Sequence, residues 1–125
     1  ANPCDPETPV MRARAGERLR LHFVHPGGHT RQQGVELAGH AFNPYPWSPD
    51  SRRIDAKAGS AIRQGVFNGF GPMMGVTVEV TAGGALRVPH DYFMGSQASF
   101  LRDGGIWGLL RVEPVLAAPA DQLRP

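Results

Sequence analysis

The chain has 125 residues, 41% of them hydrophobic, a single cysteine, and 13 Lys+Arg against 11 Asp+Glu for a net charge of +2. That length makes one domain that buries about two thirds of its unfolded surface, and the apolar share excludes a disordered chain. One cysteine excludes an internal disulfide, no apolar run reaches the ~18 residues that would mark a membrane span, and the scattered arginines exclude a basic stripe for nucleic acid.

Ala1 to Pro9 carries three prolines and reads as an extended lead-in, 1–9, before a domain over 10–113. Val10 to Arg14 alternates weakly, as an edge strand does. Ala15-Gly16-Glu17 is a turn, and Arg18 to His25 is the clearest strand, with Leu19, Leu21 and Phe23 on one face and Arg18, Arg20 and His22 on the other. Pro26-Gly27-Gly28 ends it. Gln32 to Phe42 follows as a second strand region with Val35, Leu37 and Gly39 assigned to one face. Asn43 to Asp50 holds three prolines and forms a loop, with Trp47 expected to pack it down on the body of the fold.

Two further strands are expected over Ala61 to Phe67 and Val76 to Val80, joined by the glycine-rich loop Asn68 to Gly75. That loop lacks the Lys-Ser/Thr and the helix signal of a phosphate cradle. Tyr92 to Met94 is a strand, Gly95 to Gly105 has loop composition, and Ile106 to Val112 is a closing apolar strand. The tail after Glu113, residues 114–125, has linker composition. Short strands punctuated by 16 glycines and 12 prolines define an all-β sandwich.

Ala15 to His25, Val35 to Phe42, Asp91 to Met94 and Gly105 to Val112, taken in this order and spacing, resemble a cupredoxin domain of the multicopper oxidases, the large multidomain bacterial, manganese-oxidase-like type above all. The resemblance implies a cupredoxin-like Greek-key β-sandwich and a secreted or periplasmic parent. It also implies two copper-ligand motifs. The first, His-Pro-x-His-Leu-His-Gly-His-x-Phe, falls on Gln33 to Phe42. Leu37, Gly39, His40 and Phe42 are kept, but the three ligand positions hold Gln33, Glu36 and Ala38.

The second motif is His-Cys-His followed by a spaced histidine and an axial Met or Leu. In its frame stand Gly95, Ser96, Gln97, Leu101 and Ile106. A blue copper site needs the soft thiolate of that cysteine, so the resemblance implies the fold and denies its metal chemistry. No cofactor is therefore expected in this chain. Copper, and the O2-dependent oxidation of metal ions or phenols, would belong to other cupredoxin domains of the same parent, which are the expected partners.

An alternative metal site could draw on His25, His29, Glu36, His40 and His90, since imidazole suits copper and zinc. It would make the chain a free-standing copper carrier. The competing reading of these histidines is hydrogen-bonded or exposed loop residues. Met73-Met74 reads as thioether ligands for Cu(I) or as flexible filler. Trp107 is a core or interface residue, and an oligomerising module is a third reading of the whole chain. Ser96 and Ser99 near His90 lack a nucleophile elbow, Asp91 and Asp103 lack a reason to converge, and Cys4 lacks one for activation, so no enzyme active site is assigned.

Overall fold

The computed structural model describes residues 3–27, 33–48, 63–97 and 99–115. Seven strands and one short helix follow in the order β1 (Val10–Arg14), β2 (Arg18–Val24), β3 (Gln33–Leu37), β4 (Val66–Phe70), β5 (Gly75–Thr81), β6 (His90–Ser96), α1 (Ser99–Asp103) and β7 (Trp107–Glu113). They form a five-stranded sheet in the order β1-β7-β6-β3-β4 and a two-stranded sheet of β2 and β5. β1 runs parallel to β7, and the other pairs are antiparallel.

Alternation decides which face of each strand is buried. In the smaller sheet Leu19, Leu21 and Phe23 stand opposite Val80, Val78 and Val76. In the larger sheet Leu37 stands beside Met94, Tyr92 beside Leu110, and His90 beside Val112. The buried centre comprises Ala13, Leu37, Phe42, Val78, Val80, Ala82, Leu110 and Val112. Phe42 is fully buried and meets Phe23 edge to face at 6.3 Å. It lies beyond any strand, in a bridge to Gln64, while Asn43 bridges Glu79 and so extends the smaller sheet past β5.

Several sequence expectations shift. β3 ends at Leu37, because Gly39 turns with φ of +70° and His40 N–H donates back to the Leu37 carbonyl, so Gly39 does not continue the inner face. The strand expected over Ala61 to Phe67 is β4, which runs on to Phe70. Positions 61 and 62 lie outside the described residues. Pairing to β3 selects this frame, with an irregularity that sets Gly34 opposite Asn68 and Gln33 opposite Phe70 and leaves Gly69 at φ of +81°.

The stretch Gly95 to Gly105 is not all loop. Ser96 still belongs to β6, and α1 follows, closed by Gly105 at φ of +88°. Gly105 N–H donates to the Arg102 carbonyl and Ile106 N–H to that of Leu101, the paired bonds of a Schellman cap. Trp47 does not pack down either. It is 69% exposed and meets Tyr45 edge to face. The prolines fix its loop without burying the indole. Among the described residues no helix is long and apolar enough to cross a membrane.

Candidate functional site

The two ligand frames meet where β3 runs beside β6, because Val35 pairs with Ser96 and Glu36 with Gly95. Gln97 N–H donates to the Gly34 carbonyl and Ser96 N–H to that of Ile106, which ties the β6–α1–β7 connection to the sheet. Gln33, Gly95, Ser96 and Ile106 therefore come together, lining one end of a cavity of about 660 Å³. Ala38 lies in the exposed turn beyond β3, Gln97 is exposed, and Leu101 sits half-buried in α1.

Glu36 faces a cation. Arg102 Nη2 donates to Glu36 Oε1 at 2.6 Å, and its Nε donates to the Ser96 carbonyl. The guanidinium carbon also stands 5.2 Å from the centre of the Phe93 ring, which stacks on Trp107 at 6.1 Å. Trp107 is thus a half-buried partner of Phe93. Gly95 lies under this stack. A Cβ there would come within 2.8 Å of the Phe93 ring and 3.1 Å of the Trp107 Cβ. The eight positions of the two motif frames carry no imidazole or thiol, and the one carboxylate among them is engaged by arginine.

Of the described members of the alternative set, His40 and His90 lie apart from Glu36. His40 is buried, and its two ring nitrogens are occupied by the Ala38 carbonyl at 2.8 Å and the Gly83 N–H at 3.0 Å. These partners specify the neutral tautomer with the proton on Nδ1. Its ring meets Tyr92 edge to face at 4.6 Å, and Tyr92 in turn meets the exposed His90 at 5.7 Å. His90 starts β6 opposite Val112, whereas Glu36 lies beside Gly95 near the other end of that strand. His25 is buried at the cavity, with Nδ1 accepting from Gly27 N–H. His29 lies outside the described residues. Among the described residues, no group of three or more His, Cys, Asp or Glu is placed to hold a metal.

His25 is joined to the Met73-Met74 turn through the main chain: its N–H donates to the Met74 carbonyl, and Met73 N–H donates to the His25 carbonyl. Met73 is exposed at φ of +62°, and the Met74 sulfur accepts from Gly71 N–H. Cys4 is exposed. Asp91 does not meet Asp103. It receives two 2.8 Å bonds from Arg111, which also binds Asp5 at 2.7 Å. The Arg111 hydrogen bond holds Asp91 below the usual carboxylate range, and the two carboxylates raise Arg111 further above its own. Arg102 and Arg111 were not singled out by sequence. A signal existed for Arg102, a cation within one ligand frame matching a carboxylate in the other.

No protein-family model matches the chain, and no curated protein matches its sequence. Solved structures do match. One is dithionite-reduced auracyanin from the photosynthetic bacterium Roseiflexus castenholzii, at 16% identity and a TM-score of 0.52, over 86% of each chain. Auracyanin is a cupredoxin, and the fold is accordingly a cupredoxin-like Greek-key β-sandwich.

Proposed function

We propose that the chain is a copper-free structural domain that packs against copper-bearing cupredoxin domains of a multicopper oxidase. Oxidation of metal ions or phenols by O2 is the work of those neighbours, and the parent is secreted or periplasmic. The observation that carries this reading is the Glu36–Arg102 pair: the carboxylate in the first ligand frame is held at 2.6 Å by an arginine from the second. A guanidinium cannot ligate a metal, and its charge opposes a cation at the same place. The Phe93–Trp107 stack over Gly95 supports the reading further, since it fills the space an imidazole at that position would use.

The test is copper loading, desalting and metal analysis together with the visible spectrum. The expected result is copper below about a tenth of an equivalent and no thiolate-to-copper band. One firmly held equivalent would overturn the structural reading. It would favour a copper carrier drawing on the surviving histidines and methionines. Removing His25 and His29 together would then abolish the binding.

A further inference from the structure

The two sheets are unequal, and the difference falls on one side. Among the described residues β1 and β2 are each the last strand of their sheet. The cavity of about 660 Å³ lies between them, lined by Met11 of β1 and the preceding Pro9, Phe23 and Val24 of β2, and Val35 and Met94 from the floor. Most of its wall is apolar. Val24 and Ile106, also in the wall, are 72% and 55% exposed, so the cavity reaches solvent as a slot.

Among the described residues the edge of β2 along this slot is unpaired. His25 uses both its main-chain groups toward Met73 and Met74, and Glu17 accepts from Ala82 N–H, so odd-numbered residues of this run face β5. By alternation the N–H and C=O groups of Arg18, Arg20, His22 and Val24 face away from β5. Among the described residues no strand pairs with that edge. It has no proline or bulge to blunt it, and an unpaired row of this kind is a template for another strand.

The side chains beside this edge have a definite chemistry. On the inner face the slot asks for apolar residues at alternate positions. On the outer face stand Arg18 and Arg20, while His22 and Val24, of the same parity, reach the slot's rim. Glu79 binds Arg18 at 2.6 Å but reaches Arg20 at only 3.7 Å, and Arg20 remains 65% exposed. Two arginines facing one carboxylate leave a positive strip that disfavours pairing with a second copy and favours an acidic partner.

We propose that the open edge of β2 receives an extended strand from a neighbouring domain, its alternate residues apolar toward the slot and acidic toward Arg18 and Arg20. This rests on the packing role proposed above and names the surface that performs it. The added strand makes main-chain bonds to Arg20, His22 and Val24 and covers the apolar floor at Met11, Val35 and Met94.

The test uses the full chain and a capped peptide, Glu-Leu-Glu-Val-Glu-Phe-Glu, whose seven residues match the length of β2. Expected are saturable binding and slowed amide exchange at Arg20, His22 and Val24, with Leu21 and Phe23 unchanged. Val24→Pro removes one edge donor and leaves the β5 ladder intact. It should weaken binding about fivefold at an unchanged unfolding midpoint. Should that variant fold poorly, a peptide N-methylated on its bonding edge, added to the unaltered protein, should weaken equally.

No binding, equal binding by a lysine-for-glutamate peptide, or perturbation of Met11 and Met94 without edge protection would each overturn the proposal. The last result would mark a site for a small apolar molecule. Protection of the same amides without peptide, in a chain that sediments as a dimer, would also overturn it in favour of self-pairing. None of these outcomes depends on copper content, so the metal test and this one fail separately.

Discussion

Replacing His40 by alanine separates a structural histidine from a metal ligand. The imidazole accepts from Gly83 N–H at 3.0 Å and donates to the Ala38 carbonyl at 2.8 Å. Gly83 is buried, so its N–H would lose its acceptor out of reach of water, at about 1–3 kcal/mol. Ala38 is exposed, and water replaces its lost bond at little cost. The edge contact with Tyr92 at 4.6 Å contributes about 0.5–1.5 kcal/mol more. The sum is about 1.5–4.5 kcal/mol, which for a urea slope of ~2 kcal/mol/M lowers the midpoint by about 0.8–2.2 M. Urea titration followed by tryptophan fluorescence measures this directly. His40→Asn can keep one of the two bonds and should recover part of the loss. A loss below about 1 kcal/mol, or an unchanged midpoint accompanied by loss of bound copper, would refute the structural role.

Phe42→Ala removes the largest fully buried side chain of the core and should cost about 3–5 kcal/mol, read as a lowered thermal midpoint with the fold retained. Gly108→Ala places a Cβ 2.6 Å from the Pro9 carbonyl, which accepts from Leu109 N–H. It should destabilise by about 1–3 kcal/mol and speed exchange of the Leu109 amide, while Gly105→Ala tests a positive φ with open space around it. The Asp91–Arg111 pair sets an acid limit. The folded-state pKa of Asp91 is lowered, so its contribution is complete above the unfolded carboxylate value of about 4 and is lost as pH falls through the lower folded value. The stability difference between the unaltered chain and Asp91→Asn should be constant near neutrality and close below about pH 4, in urea titrations at stepped pH.

The fold was legible where one residue in two decides a face. Leu19, Leu21 and Phe23 against Val76, Val78 and Val80 form a complete alternating pair, and β2 and β5 follow it closely. It was less legible where pairing overrides local pattern. β4 takes in Gly69 and Phe70, which read as loop, because β3 offers them a ladder and Gly69 absorbs the irregularity. The five-residue helix α1 is too short for a periodic signal, and its cap depends on the positive φ of Gly105. Trp47 illustrates another limit. Size suggested burial, yet the ring meets Tyr45 edge to face and stays largely in solvent.

At the ligand frames, sequence could show which residue types were absent, because a ligand is a matter of identity. It could not show what replaced them, because Glu36 and Arg102 lie 66 positions apart and only the pairing of β3 with β6 brings them together. The pair is about one third exposed and worth little alone. Its setting matters more. Arg102 also bonds the Ser96 carbonyl and covers Phe93, Phe93 stacks on Trp107, and the cap at Gly105 closes α1 onto β7. The β6–α1–β7 connection is therefore ordered by arginine, aromatic and main-chain contacts. Order of that origin does not depend on metal, so added copper should leave the amides of Ser96, Gln97 and Ile106 where they are. A metal-organised loop would shift all three.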